Sequence, residues 1–494
     1  MHIDVVKSGN ESFERGGACL VLPCHEDAPA ASAVLAQRDA RVLAALAKQG
    51  VITGKASQCH YFATPKSACS GVLVLGLGKK TRLTQESVRR AAGSACAVLQ
   101  HNRIEHAYLD VSGFRGFPAP AFVEGLMLGQ YTFDEFKKRA NAKTKVTALT
   151  VIVPARSTTR TLQQDCELAV MLCAATNGAR HLGNTPANEL TPAALSEFAQ
   201  RAAEDEGFEC SVLDKTQIAS LGMNAFLGVA RGSSQPPKLI VMQYRHPKAK
   251  KTVALVGKGI TFDTGGISIK DADGMHKMKF DMCGAAAVLF TMMAVAAIKP
   301  AVNVVAVTPV CENKTGADAQ RPGDIVRAYN GVTIEVNNTD AEGRLILADA
   351  LAFTVDKFKP HALVDIATLT GGATVALGHF AAPVLGTNDA VVNELIQIGT
   401  DSGERLWRLP LWDDYSKLIE GTFADLCNIG PARQASSIIG ACFLKRFTGR
   451  TPWAHVDIAA TAYGVKNIPY WNPDLATGFG VRLLSRWVLA QAGK

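Results

Sequence analysis

Asn338-Thr339-Asp340-Ala341-Glu342-Gly343-Arg344 runs directly into the apolar-periodic stretch Leu345 to Phe358. A short β-branched run, Val332 to Val336, precedes it. The order is strand, polar junction, helix. Two carboxylates sit two residues apart at the junction, and extended backbone points residues i and i+2 to one side. Asp340 and Glu342 are therefore expected to face one object, with Arg344 following them. Gly343 permits a sharp turn or a close backbone approach. The alternative is an acidic helix start that only suits the helix dipole.

A second stretch, far upstream, decides between these readings. Val253 to Val256 is an apolar run of the kind that forms a strand buried on both faces. It breaks into Gly257, Gly259, Gly265 and Gly266, among which stand Lys258 and Asp263; Lys270 and then Asp281 follow. A Gly-rich turn after a strand can cradle phosphate. Here GxxxxGK[ST] is missing, and residues 257–266 hold no GxGxxG. Lysines and aspartates beside glycines at a strand's carboxyl end point instead to a polar pocket, where open α/β sheets bind ligands.

In these residues the chain resembles the leucine aminopeptidase (cytosol aminopeptidase) family. Asn338 to Arg344 matches that family's NTDAEGR signature. Lys258, Asp263, Lys270 and Asp281 fall on its GKGxTFDxGGxxxK and MKxDM segments. Asn184 to Asn188 with Thr191-Pro192 resembles its NxPxNxxTP segment, and Asp365 to Gly371 and Trp453 to Ala459 resemble two more. The likeness runs over residues 180–494 with several motifs in order, which is far more specific than one short match. The N-terminal third carries no comparable signature.

The resemblance implies a leucyl aminopeptidase, a metallo-exopeptidase with two divalent ions per subunit. Four carboxylates in one crevice would repel one another, and two divalent cations supply four positive charges. Such ions sit about 3.5–4 Å apart. By resemblance Asp263 and Glu342 bridge both ions, Asp340 binds one, and Asp281 and Lys258 bind the other. A ligating lysine must be deprotonated; the alternative for Lys258 is a salt bridge. Oxygen-rich ligation with one amine does not choose among Zn, Mn, Co and Mg; the family implies Mn or Zn.

The implied reaction is hydrolysis of the first peptide bond by a water held between the ions. Lys270 would stabilise the oxyanion, and Arg344 would hold a bicarbonate as proton shuttle, a planar anion suited to arginine. The alternative for Arg344 is a pairing with a nearby carboxylate. Met278, Thr368, Gly371, Ala459 and Ala462 fall where the family's apolar substrate pocket lies, and the Leu369 carbonyl and Gly371 amide would hold the substrate backbone. Asp271 stands after Lys270 where relatives often have proline, and could tie up or retune that lysine. The family also implies a cytoplasmic homohexamer, a dimer of trimers.

A chain of 494 residues suffices for two domains with sizeable cores, and 48% hydrophobic with 19% charged residues describes a globular protein. The longest apolar stretch, Ala285 to Ile298, is short for a membrane span and reads as a buried helix. Met1 to Lys7 shows no secretory pattern. The 12 cysteines are scattered without CxxC, as in a cytosolic protein with reduced thiols.

The alternation of runs predicts α/β architecture. Two domains are expected, each a mostly parallel or mixed sheet flanked by helices and joined by a linker helix. The boundaries are 1–160, a linker helix 161–182, and a catalytic domain 183–494. In the first, strands are expected at Ile3–Val6, Ala18–Leu22, Val72–Leu77, Ala107–Val111 and Ala148–Val153. Helices are expected at Ala33–Lys48 (with Ser32 as N-cap), Gln85–Leu99 and Phe122–Lys138. Several motif segments of the catalytic domain follow strand ends, so one crevice at a sheet's carboxyl edge would gather them.

Charge is uneven. Residues 1–160 hold 21 Lys and Arg against 12 Asp and Glu, while the rest is near neutral. A DNA-binding regulator on the same scaffold is the alternative function this suggests, although no nucleic-acid fold signature accompanies the charge. A two-metal phosphoesterase is a third reading, opposed by the motif order.

Overall fold

The computed structural model describes residues 1–494 apart from 11, 14–16, 28–34, 36, 65–68, 139–142 and 494. The chain forms two compact units. One comprises Met1–Ala174 with Asn467–Asn472, the other Ala175–Lys466 with Pro473–Lys494. Both are α/β, as the alternating pattern predicts.

The first unit is a six-stranded sheet of β1 (His2–Lys7), β2 (Ala18–Cys24), β3 (Cys59–Ala63), β4 (Gly71–Gly76), β5 (His106–Asp110) and β6 (Ala148–Val153). Their spatial order is β1-β6-β5-β2-β4-β3. All neighbours are parallel except β3, which pairs antiparallel with β4. The helices are α1 (Gln37–Lys48), α2 (Gln85–His101), α3 (Ala119–Gly129) and α4 (Thr159–Asn184), the last running on into the second unit. β2 and β4 are buried along their whole length, which is why they read as continuous apolar runs. The segment 467–472 belongs here through Tyr470, whose hydroxyl donates to Glu86 at 3.0 Å. Buried Arg89 donates to Glu86 and Glu124, each at 2.6 Å.

Two expectations change. The helix expected over Phe122–Lys138 begins earlier and stops at Gly129. Glycine weakens a helix interior, and residues 131–138 are irregular, so Lys137 and Lys138 stand on a loop. β3 was not anticipated. The start of the helix expected at Ala33, with Ser32 as its cap, lies outside the described residues.

The second unit contains α5 (Pro192–Glu206), β7 (Glu209–Leu213), α6 (Lys215–Ser220), α7 (Asn224–Ala230), β8 (Lys238–Tyr244), β9 (Thr252–Gly257) and β10 (Gly259–Asp263). There follow α8 (Cys283–Ile298), β11 (Asn303–Asn313), β12 (Asp324–Arg327), β13 (Thr333–Val336), α9 (Gly343–Phe358), β14 (Ala362–Ala367), α10 (Gly372–Leu377) and β15 (Ala382–Gly386). The chain ends with α11 (Asp389–Ser402), β16 (Leu406–Arg408), α12 (Asp413–Ser416), β17 (Leu426–Cys427), α13 (Ser436–Lys445), β18 (Trp453–Asp457) and α14 (Val481–Ala492). The main sheet runs β16-β15-β18-β14-β9-β11-β8-β7, with β10 paired to β11. Its centre, β18-β14-β9-β11, is parallel.

Helix α8 is apolar all round and almost wholly buried, as a core helix should be. With the 3-10 turns before it, Met275–Ile298 is long and apolar enough to cross a membrane, but 83% of its most apolar window is buried inside the protein. Gly284 lets α8 start hard against the sheet: a Cβ there would meet the Ile366 carbonyl oxygen at 2.3 Å. On one side of the sheet, α9 and α13 close a core around Leu347, Leu351 and Phe443.

Candidate metal centre

Parallel strands place their carboxyl ends at one edge of a sheet. Lys258 follows β9, Asp263 closes β10, Asn313 closes β11, Thr368 follows β14 and Asp457 closes β18. Two further segments reach this edge. The 3-10 segment Met275–Met282 brings Asp281, and the junction before α9 brings Asp340 and Glu342. That junction is not extended, as the spacing suggested. The Ala341 amide donates to the Asn338 carbonyl at 3.3 Å, and Glu342 is already helical at φ −75°, ψ −37°. A turn and a helix start, rather than a strand, aim the two carboxylates together. Arg344 consequently departs from them, within the first turn of α9.

Carboxylate oxygens of Asp263, Asp340 and Glu342 lie within 4.8 Å of one another. Lys258 Nζ is 2.8 Å from Asp281 Oδ2 and 2.7 Å from Glu342 Oε1, and donates to the Thr368 carbonyl at 2.7 Å. Lys270 Nζ is 2.8 Å from Asp263 Oδ2 and also pairs with Asp340. Thr368 Oγ1 donates to Asp281 Oδ1 at 2.6 Å. The five residues Lys258, Asp263, Asp281, Asp340 and Glu342 and the lysine at 270 are thus gathered in one place.

Lys258, Asp263, Asp281 and Glu342 are each at most 4% exposed, so charge here is poorly solvated. Burial pushes the Asp263 and Asp281 carboxyls up, and Asp340 to about 6. Glu342 is held low against burial by Lys258 and Lys270. Burial would lower both lysines, but the surrounding carboxylates outweigh it and keep them above the usual lysine range. Two ammoniums against four carboxylates leave two negative charges unbalanced. Asp281 Oδ2 and Asp340 Oδ1 are buried without a well-aligned hydrogen-bond donor, although each has a lysine nitrogen close by. A buried, oxygen-rich set with more carboxylates than cations fits divalent cations.

Arg344 is buried at 6% exposure. Its Nη1 donates to the Asn428 carbonyl at 2.8 Å, while Nε has no partner. Burial lowers this guanidinium to about 10, which leaves it cationic at neutral pH with donors to spare. It forms no ion pair with a carboxylate among the described residues. Asp271 is exposed and does not pair with Lys270, which is committed to Asp263 and Asp340.

The residues expected to line the substrate pocket occupy three segments. Met278 lies one 3-10 turn before Asp281, and residues i and i+3 eclipse in that geometry. Thr368, Leu369 and Gly371 form the loop after β14; Ala459 and Ala462 form the turn after β18, with Ala462 buried. Sequence reasoning missed the residue that joins the last two. Asp457, 0% exposed, accepts from the amides of Leu369 (3.1 Å), Thr370 (3.4 Å) and Ala459 (3.2 Å) through Oδ1, and from Thr370 Oγ1 (2.7 Å) through Oδ2. It also missed Asn313, whose Nδ2 donates to Asp263 Oδ1 at 2.8 Å and to the Thr339 carbonyl at 3.0 Å. Position at a strand's carboxyl end was the available signal for both.

Comparison with known proteins agrees with this arrangement. Residues 177–485 match the model of the cytosol aminopeptidase family's catalytic domain, and residues 21–140 that of its N-terminal domain. A probable cytosol aminopeptidase of Geobacter sulfurreducens is 41% identical over 481 residues, 96% of each chain. One from Methylobacillus flagellatus is 41% identical over 500 residues, 99% of each. Among solved structures, the bottromycin maturation enzyme BotP in complex with Mn superposes with a TM-score of 0.84 at 30% identity, covering 96% of this chain and 99% of its own. The buried carboxylate and lysine cluster therefore stands in a peptidase: the chain belongs to the cytosol aminopeptidase family.

Proposed function

We propose that the protein removes N-terminal amino acids, preferring leucine and similar apolar residues, from peptides, with two divalent ions per subunit. Three mutually close carboxylates beside two lysines, in a chain of this family, carry the reading. Asp263 and Glu342 would bridge the ions, Asp340 would hold one, and Asp281 and Lys258 the other. Bound there, the ions would supply Lewis-acid activation of water and of the scissile carbonyl. Manganese is favoured by the Mn complex of BotP; zinc suits the same donors.

The chain's own residues do the remaining work. Lys270, cationic and tied to Asp263 and Asp340, places positive charge where the carbonyl oxygen becomes negative. Thr368 fixes Asp281 through its hydroxyl and Lys258 through its carbonyl. The Leu369 carbonyl and Gly371 amide hold the substrate backbone, while Met278, Thr368, Ala459 and Ala462 bound the first side chain. Arg344, with an unpartnered Nε, would hold a bicarbonate that moves the proton. A homohexamer, built as a dimer of trimers in the cytoplasm, is part of this reading.

The test is hydrolysis of leucine p-nitroanilide by metal-stripped protein with Mn or Zn added back, for wild type and Asp340→Ala. Metal should restore the wild type and leave the variant inactive. Activity that survives complete metal removal would overturn the reading. DNA binding by the N-terminal portion is a second reading, supported by the excess of Lys and Arg in residues 1–160. Salt-sensitive duplex binding supports it, and no binding at low salt removes it.

A further inference from the structure

We propose that Arg433 recognises a carboxylate on the residue that follows the scissile bond, so that the enzyme favours peptides bearing a negative charge there. This rests on the aminopeptidase reading above and adds a substrate preference to it.

A cavity of about 340 Å³ has a lining that includes Asn338, Arg344, Gly430, Arg433, Gln434 and Ser436. It contains two guanidiniums and no carboxylate. Its walls meet the loop after β14: a Cβ on Gly440 would lie 3.6 Å from Arg344 Nη2 and 2.8 Å from the Leu369 side chain, and Ser437, next to Ser436, is hydrogen-bonded to Thr370 at 2.6 Å. Consecutive Cα atoms are about 3.8 Å apart. The loop after β14 is the one assigned above to the substrate backbone, so the residue after a scissile bond held there comes within reach of this space.

The two arginines are not equivalent. Arg344 is buried and donates to the Asn428 carbonyl from the inner wall. Arg433 is exposed and has no ion pair among the described residues. Its backbone is held at φ 62°, and that of Ala435 at φ 42°, both left-handed without being glycine. Such conformations cost energy and gather at ligand clamps. They fix the root of Arg433 on the cavity wall, with its side chain exposed. A guanidinium so placed meets a carboxylate with two parallel hydrogen bonds, and the amide of Gln434 and hydroxyl of Ser436 offer further donors. The carboxylate has two sources: the C-terminus of a dipeptide, or an Asp or Glu side chain at the second position.

The experiment compares kcat/KM for Leu-Gly, Leu-Gly amide, Leu-Asp amide and leucine p-nitroanilide, in metal-loaded wild type, Arg433→Met and Arg433→Glu. Wild type should prefer at least one carboxylate-bearing substrate over Leu-Gly amide by about tenfold, the worth of one good charge-assisted contact. Arg433→Met should erase the ratio, and Arg433→Glu should reverse it. A preference for Leu-Gly alone assigns the terminal carboxylate; one shared by Leu-Asp amide includes the side chain. An unchanged ratio, or an equal loss on all four substrates, overturns the proposal. Calorimetric binding of a Leu-Gly analogue with a methylene in place of the peptide carbonyl, against its amide, reads the same ratio without turnover. Absence of leucine p-nitroanilide hydrolysis with either metal is instead the failure of the aminopeptidase reading.

Discussion

Lys258 Nζ and Glu342 Oε1 lie 2.7 Å apart where both residues are only 2% exposed. The contact depends on the residue next to Glu342. A Cβ on Gly343 would meet Cδ, Cε and Nζ of Lys258, each at 2.8 Å. Glycine leaves room for the lysine, whose end passes directly over the backbone at the start of α9. Alanine is the better helix former by about 1 kcal/mol, so propensity alone favours Gly343→Ala. The expected outcome is the opposite for function: Lys258 is displaced, and kcat/KM falls at least about tenfold. Metal titration should show weaker binding while circular dichroism stays that of the wild type.

Replacing Lys258 by methionine keeps its length and removes its charge. Asp281 and Glu342 then lose their shared cation. Stripping one partner from a buried ion pair costs about 3–5 kcal/mol, and the metal-free variant should melt earlier by a corresponding amount. Divalent ions should narrow the gap, because they supply the missing charge.

Metal should stabilise the wild type by mass action, about 2.7 kcal/mol at 100 times its dissociation constant. Asp340→Ala removes one of the three mutually close carboxylates and should lose most of that gain. A thermal shift on adding Mn that is equal in both proteins would place the ions elsewhere.

Asp457 ties the loop after β14 to the turn after β18 through four hydrogen bonds. Alanine at this position leaves three amides and one hydroxyl without their acceptor, at about 1–3 kcal/mol for each buried group left unpaired. Asp457→Ala should raise KM and lower kcat/KM by about a hundredfold, while metal affinity changes little. Asp457→Asn retains one acceptor oxygen and should recover part of the loss, a graded response that simple unfolding would not give.

These two aspartate sites show what the sequence could reveal. Asp340, Glu342, Asp263 and Lys258 lie within short, recognisable motifs, and their convergence follows from strands that end at one edge. The α/β pattern was legible for the same reason: strands buried on both faces, such as β9, read as unbroken apolar runs. Asp457 and Asn313 are isolated polar residues at the ends of apolar strands, and their partners are 87 and 50 residues away in the chain. Their place at a strand's carboxyl end, and for Asp457 within the Trp453–Ala459 segment, points to the site but not to the groups they hold. The turn at Asn338–Glu342 was read as extended because alternation of polar residues looks alike in both conformations. The end of α3 at Gly129 was hidden by the aromatic and charged residues that continue the helical-looking pattern beyond it.

Asp349 provides a pH dependence independent of the metal centre. It is fully buried in α9, where Oδ2 accepts the Phe226 amide at 2.8 Å and Oδ1 the Tyr329 amide at 2.7 Å. Burial pushes its carboxyl up to about 7, against those hydrogen bonds; the unfolded chain has about 3.9. Below the unfolded value both states hold the proton and stability is unaffected. As pH rises towards 7 the unfolded state has released the proton while the folded state keeps it, so stability falls through this window. Above it both are ionised, and the full penalty of about 4 kcal/mol is present. Asp349→Asn cannot ionise. Its amide also turns an N–H towards one of the two backbone donors, a constant cost of about 1–3 kcal/mol. The stability of wild type minus variant should therefore decline from pH 4 to pH 7 and then level off. A difference that stays flat, or rises with pH, would show that Asp349 is ionised throughout and that its two backbone donors outweigh its burial.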